Sequence, residues 1–469
     1  MRRAAGLVAW VAVLGLVPVS SSPSAEPTII HLADGSAAAD LDAGRVTEAL
    51  EGLGVVLVEA TAADLRVLAA DPDVTAVSPD VTLVPASRPE PTGPAHGAGD
   101  VVGAPSAWAA GLTGAGTVVA VVDTGVSDHP DLAGRVVRGP DLSDGRHPDR
   151  DEYGHGTVLA GVVAGDGTSS DGRFTGVAPE ATILSVKVAG ADGTTTAGRV
   201  LRAIDWVVAT RDRSGADVLL LAWATDAEQS ARVDPLAHAV TRAADAGLVV
   251  VVAAGNAGPD AGSIGSPGTA PAVVTVGAAD PTTGSVTDWS GRGPTVDGLD
   301  GIDLVAPGAA IVAPVDHRST VAIGARSALF GRQHIRGSGT SQAAAVAAGV
   351  AALLRGAFPH EPGQVTQARL TTSVRPVGAP ATTAGAGLLD AAVLATGTAP
   401  AVPTAPFATD GTGDLELAGG TQGSRWSGSR WSGSRWSGSR WSGSRWSGSR
   451  WSGSRWSTTG WSGDFGEEG

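Results

Sequence analysis

The run Gly116-Thr117-Val118-Val119-Ala120-Val121-Val122 is almost wholly apolar and stops abruptly at Asp123-Thr124-Gly125. A strand wetted on one face alternates polar and apolar residues. A continuous β-branched run belongs to a strand covered on both faces, as in a parallel sheet. Further runs of this kind lie at Ile183 to Val188, Val218 to Leu221, Leu248 to Ala254 and Val273 to Val276. Between them, Val158 to Ala164, Thr196 to Thr210 and Pro235 to Ala246 carry helical spacing. This alternation predicts an α/β fold on a mostly parallel sheet. Ligands of such sheets bind beyond the carboxyl ends of the strands, so the residues that stop the runs are the first functional candidates.

Segments of different character flank this core. Met1-Arg2-Arg3, the apolar stretch Ala4 to Val19 and the small residues Ser20 to Ala25 read as a secretory signal peptide over residues 1–25. A membrane anchor is the other reading, but the run is short for one and contains Pro18. Residues 26–90 form a small α+β unit. It has strands at Thr28 to Leu32 and Gly54 to Val58, helices expected at Ala43 to Leu53 and Ala62 to Ala70, and strand material at Val74 to Val84, interrupted by Pro79. Directly after a signal peptide this reads as a pro-segment; a retained N-terminal domain is the alternative. Ser87 to Gly99, rich in Pro and Gly, is expected to be an exposed linker and cleavage region. The α/β body then occupies 91–397 and a Pro-punctuated linker 398–421.

Residues 422–469 repeat Gly-Ser-Arg-Trp-Ser at a five-residue period, from Trp426 through Trp456. An odd period alternates Trp between the faces of a strand, and in a helix it spirals around the axis. Neither builds a buried stripe, so the tail reads as low-complexity and disordered. The whole chain has a formal charge of −15, which argues against a nucleic-acid partner. It contains no cysteine, which removes disulfides and thiolate zinc sites.

Four positions in the body are chemically distinctive. Asp123 ends a buried strand, His155 in Gly154-His155-Gly156-Thr157 opens a helix, and Asn256 follows the run ending Ala253-Ala254-Gly255. Ser341 sits in Gly337-Ser338-Gly339-Thr340-Ser341, where a loop becomes an alanine-rich helix. Each has a plainer reading: a helix cap for Asp123 or Ser341, a core histidine, a turn asparagine. Together they supply what acyl transfer needs. A serine hydroxyl is a poor nucleophile until an imidazole takes its proton, the imidazole needs a carboxylate to orient it, and the oxyanion needs fixed donors.

With these motifs the chain resembles the subtilisin-like serine proteases from about Ala104 to Ala395. The order Asp, His, Ser is that family's order. Asp128-His129-Pro130-Asp131-Leu132, Gly176-Val177-Ala178-Pro179, Ser266-Pro267-Gly268 and Val305-Ala306-Pro307-Gly308 match further landmarks. The resemblance implies a subtilisin-like three-layer fold and a secreted serine endopeptidase acting on protein or peptide substrates. Asp123, His155 and Ser341 would be its triad and Asn256 its side-chain oxyanion donor. Ala222, Trp223 and Ala224 would be the substrate-binding strand and Gly265 the floor of the primary pocket. The unit before residue 90 would be an inhibitory propeptide, an intramolecular partner of the enzyme. No cofactor is implied for the chemistry; Asp131 matches a calcium ligand of the family, with Asp166 and Asp171 near where others occur.

The chain also departs from the family's pattern. Gln342 stands where a methionine usually follows the nucleophile, and Met1 is the chain's sole methionine. A thioether beside a catalytic serine is a liability, because its sulfoxide is bulky and polar. Peroxide is therefore expected to leave activity largely intact, and rapid inactivation in a timed peroxide assay would contradict this. Ala345 and Val346 replace a proline and a histidine of the family, so the helix is expected to run straighter. Ala224 adds a methyl where the family has glycine, while Gly265 leaves a slot expected to accept a large apolar side chain. Two other functions compete with the protease. One is a catalytically weakened pseudoprotease; the other is a surface-retained protein whose Trp/Arg tail binds cell-surface glycan through multivalency.

Overall fold

The computed structural model describes residues 25–396 apart from position 34 and the stretches 86–87, 90–92 and 226–229, together with the short segments 407–409 and 415–417. The signal-peptide and repeat-tail readings lie outside the described residues. Within the expected linker, Phe407–Thr409 and Leu415–Leu417 pair as antiparallel strands.

The N-terminal unit comprises β1 (Glu26–Leu32), β2 (Arg45–Leu50), β3 (Val55–Ala60), α1 (Ala62–Leu68) and β4 (Val74–Pro79), with its antiparallel strands in the order β2-β3-β1-β4. The helix expected over Ala43 to Leu53 is instead the edge strand β2. Gly44 at φ +80° turns the chain onto the open edge of β3, and the ladder runs from Arg45 opposite Glu59 to Leu50 opposite Val55. The apolar spacing that suggested a helix comes from Leu50 and Leu53, which enter an interface with the body. Helix propensity is a weak preference, and a ladder with β-branched Val46 and Thr47 overrides it.

Strand β1 shows why this unit has two apolar faces. Ile30 packs with Val56, Val58 and Leu68 in the unit's own small core. Its neighbour Ile29 points the other way and shares a cluster with Leu201, Ile204 and Val240 of the body. Beyond β4 come β5 (Thr82–Pro85) and β6 (Arg88–Pro89). The segment expected as an exposed linker is therefore largely engaged. Besides β6 it contains β7 (His96–Gly97) and the start of α2 (Ala98–Val101), where Ala98 and Gly99 are buried.

The body continues with α3 (Ala104–Ala109), β8 (Val118–Asp123), β9 (Val136–Asp141), α4 (His155–Ala164), β10 (Thr182–Lys187), β11 (Thr195–Thr196) and α5 (Ala197–Ser214). Then follow β12 (Ala216–Leu221), β13 (Trp223–Ala224), α6 (Pro235–Asp245), β14 (Val249–Ala253), β15 (Val274–Ala279), β16 (Leu304–Pro307) and β17 (Ile311–Pro314). The last elements are α7 (Thr320–Gly324), β18 (Leu329–Phe330), β19 (His334–Ser338), α8 (Thr340–Ala357), α9 (Gly363–Thr372), β20 (Val374–Arg375) and β21 (Leu388–Leu389).

Nine strands form the central sheet in the order β9-β10-β8-β12-β14-β15-β16-β21-β20, parallel except for the final pair. Helices cover both faces. Val119 and Val121 of β8 point into a core with α4 and α8, while Ala120 and Val122 point into the core with α5 and α6. That two-sided burial is what the unbroken apolar run required. The chain winds outward from β8 in both directions, with β10 on one side and β12 and β14 on the other. The carboxyl ends of β8, β12 and β14 are thus neighbours at the position where open α/β sheets place their ligands.

Candidate active site

Asp123 is the last residue of β8, and His155 is the first residue of α4. Gly154, at φ +111°, makes the turn into the helix. The two side chains meet: His155 Nδ1 lies 2.8 Å from Asp123 Oδ1, and both residues are at most 3 % exposed. A carboxylate can only accept there, so Nδ1 carries the proton and Nε2 is left as a base. Nε2 is buried and has no hydrogen-bond partner among the described residues. The pair is also tied through the backbone. Thr124 N–H donates to Asp123 Oδ1 at 2.8 Å, and Gly156 N–H donates to Thr124 Oγ1 at 2.9 Å. Position 156 must be glycine, since a Cβ would lie 2.1 Å from the Gly125 carbonyl oxygen.

Ser341 is the second residue of α8 and is fully buried. Its hydroxyl donates to the Ala222 carbonyl at 3.2 Å, while the imidazole of His155 lies 6.5 Å, ring to ring, from Trp223. Serine and histidine therefore both border the 222–224 segment without bonding to each other. Catalytic hydrogen bonds in ligand-free sites are often loose and form only with substrate.

Asn256 follows β14 after Gly255, which takes φ +91°. Its Oδ1 accepts from both the backbone N–H and the hydroxyl of Thr340, each at 3.0 Å, and Gly255 N–H donates to that hydroxyl at 3.1 Å. With the oxygen fixed on Thr340, the amide NH2 is the end left for a ligand. Thr340 and Thr124 are site residues that the motifs contain but sequence reasoning did not single out. A threonine beside a serine or an aspartate gives no signal of its own until the loops are seen to converge.

The strand β13 carries an occupant. It pairs antiparallel with β5, Trp223 opposite Pro85 and Ala224 opposite Val84, while β11 pairs with the other edge of β5, Thr195 opposite Leu83. Downstream, β6 pairs with β19, Arg88 opposite Ser338 and Pro89 opposite Gly337. The chain's own strands β5 and β6 thus pair with β13 on one side and, on the other, with β19, which leads into α8. Trp223 is 1 % exposed and donates its indole N–H to the Val122 carbonyl at 2.9 Å, which fixes the strand to the end of β8. At Gly265 a Cβ would sit 2.4 Å from the Thr225 carbonyl oxygen and 3.0 Å from Ala224 Cβ, so no side chain fits.

Asp131 lies apart from this cluster. Oδ1 accepts the Ser169 N–H at 2.6 Å and Oδ2 accepts from His334 Nε2 at 3.0 Å. Burial works to raise its pKa, but these hydrogen bonds outweigh it and hold the value at about 2. Asp166 pairs with Arg135 at 3.1 Å. Calcium takes six to eight oxygen ligands, and among the described residues no group of three or more His, Cys, Asp or Glu side chains is arranged to hold a metal. Both carboxylate oxygens of Asp131 are thus engaged by the protein's own donors.

The chain is similar in sequence to known proteins. The model described as the subtilase family matches residues 114–391. Serine protease AprX of Bacillus subtilis (strain 168) is 39% identical over 254 residues, 52% of this chain and 58% of its own length. M-protease of Shouchella clausii (strain KSM-K16) is 34% identical over 254 residues, 54% of this chain and 58% of its own length. Subtilisin Savinase of Lederbergia lenta is 34% identical over 254 residues, 54% of this chain and 81% of its own length. The match therefore spans little more than half the length of AprX and M-protease.

Proposed function

The chain belongs to the subtilase family, and on that premise we propose that it is a secreted serine endopeptidase made as a zymogen. The observation that carries the reading is the buried His155–Asp123 pair, with Ser341 in the first turn of a helix and both bordering the 222–224 segment. His155 Nε2 takes the Ser341 proton as Oγ leaves the Ala222 carbonyl and attacks the substrate carbonyl. Asp123 holds the imidazole and stabilises its protonated form. The oxyanion receives the Ser341 backbone N–H, at the positive end of α8, and the Asn256 amide. His155 then protonates the leaving amine, and water attacks the acyl-enzyme by the same route. A fluorogenic peptide panel with a serine-directed inhibitor tests this. Turnover abolished by the inhibitor is expected, and an inert mature protein would sink the reading.

Substrate would bind as β5 does, as an extended strand whose backbone pairs with 223–224. Leu83 is 1 % exposed on that strand, whereas Val84 is 55 % exposed. A fully buried leucine contributes on the order of 2 kcal/mol, so peptides with an aliphatic residue at the Leu83 register are the expected good substrates. The N-terminal unit, within the 26–90 segment, then acts as the intramolecular inhibitor. The unit docks through Asp80, whose Oδ1 accepts from Gly198 N–H at the start of α5 at 2.7 Å, and through an ion pair of Glu48 with Arg202.

The docked surface also carries an acid-sensitive contact. His31 of β1 and His238 of α6 face each other with ring centroids 5.0 Å apart, and His238 Nε2 lies 2.7 Å from the Leu53 carbonyl oxygen. Burial, and then the charge of His238, pushes His31 down to about 3. A free His31 takes a proton near its ordinary 6.5 and a docked one does not. The docked state is therefore undisturbed above pH 6.5 and loses affinity as the pH falls below it, by about thirty-fold at about pH 5. Asp205, pushed up by burial and then by Glu48 and Glu51 against the Gly52 hydrogen bond, acts in the opposite sense as it protonates. Gel filtration of the cleaved complex near neutrality and in mild acid reads the balance. Equal retention of the N-terminal fragment at both would contradict the His31 assignment, and His31→Leu should remove the difference.

A further inference from the structure

Asp151 is fully buried, lies four residues before His155, and is used by none of the steps above. Every group that touches its carboxylate is a donor. Gly154 N–H reaches Oδ1 at 2.6 Å, while Thr157 N–H and the Thr157 hydroxyl reach Oδ2 at 2.8 and 2.7 Å. The Thr124 hydroxyl also donates to it. The same residue is tied to the loop that follows Asp123: Asp151 N–H donates to Ser127 Oγ at 3.1 Å, and Ser127 N–H donates to Thr157 Oγ1 at 3.0 Å. One carboxylate thus joins the first turn of α4, which begins with His155, to the segment 124–127, which begins one residue after Asp123. We propose that Asp151 is a positioning residue that sets the imidazole of His155 against Asp123.

The physical case rests on what the donors require. Burial pushes the Asp151 carboxyl up, and the four donors converging on it work the other way by favouring its anion; a charged acceptor gives roughly twice the bond strength of a neutral one. The negative charge also sits at the positive end of α4, where it favours a helix that starts at His155. An asparagine is nearly isosteric but presents an NH2 to N–H and O–H groups that already donate. The first turn must then move, and the Nδ1–Oδ1 contact moves with it.

The inference rests on the serine endopeptidase reading, and the experiment keeps the two apart. Wild type must first turn over peptide; if it does not, the functional reading itself has failed. With active wild type, Asp151→Asn is expected to lower kcat by about ten- to fifty-fold with KM within about two-fold. The acid limb of the pH profile should move to lower pH, because a displaced imidazole loses part of the stabilisation that Asp123 gives its protonated form. An unshifted limb, or a loss that falls on KM instead of kcat, would overturn the assignment. If Asp151→Asn does not accumulate as folded protein, Thr157→Val keeps the charge but removes one donor to Asp151 and the acceptor of the Ser127 N–H. It should lower kcat by about three- to ten-fold with the limb unmoved, and wild-type kcat in that variant would overturn the proposal as well.

Discussion

A Ser341→Ala chain made in a protease-deficient host is expected to accumulate as the uncut precursor, with kcat lower by on the order of 10⁶, the usual cost of deleting a triad nucleophile. Folding should survive, because the Ser341 hydroxyl makes one hydrogen bond, to the Ala222 carbonyl, worth about 1 kcal/mol. A melting temperature close to wild type would separate lost chemistry from lost structure. Wild type, in contrast, should yield a new N-terminus within the bonds that join Pro85 to Arg88, since the paired strands on either side lead toward the nucleophile there. Mass spectrometry reads both results from one preparation. Normally processed Ser341→Ala protein would show that maturation is not autocatalytic.

Asn256→Ala is expected to cost about 10² to 10³ in kcat through loss of one oxyanion donor. Here the substitution does more than delete a donor, because Asn256 Oδ1 also accepts both Thr340 groups. The alanine variant therefore leaves a buried N–H unpaired and should lose about 1–3 kcal/mol of stability. Asn256→Asp separates the two effects. It keeps an acceptor for Thr340, so the melting temperature should stay near wild type. It also sets an anion or a donor-less oxygen against the developing oxyanion, so kcat should fall at least as far as in the alanine variant. Near-normal turnover in Asn256→Asp would remove Asn256 from its assigned role.

The central sheet was legible because its residues can do little else. Val118 to Val122 has no polar side to give to solvent, and its two-sided burial in the fold is what such a run demands. The geometry of His155 and Asp123 was legible only as a convergence of strand ends, and the fold supplies the 2.8 Å contact. The misreadings share a cause. Ala43 to Leu53 has helical apolar spacing, yet its leucines serve an interface with residues about 150 positions away in sequence, such as Leu201. Arg88, Pro89 and the residues around His96 look like linker because Pro and Gly dominate them, but their backbones find partners in β19 and β17. The partner of Asp131 was equally beyond a local pattern, since His334 lies 203 positions downstream. Local patterns name elements; partners brought in by tertiary contact decide what those elements do.

Strand β5 is the middle member of a three-stranded arrangement, with β11 on one edge and β13 on the other. Any polypeptide that takes its place must arrive with both backbone edges unpaired over several consecutive residues. A strand inside a folded sheet has already committed those groups to its neighbours, and a helix has committed them along its own axis. Cleavage would therefore track how often a target opens locally as much as the sequence it displays. Well-ordered proteins should survive beside this chain, while frayed ends, long loops and denatured polypeptides are consumed.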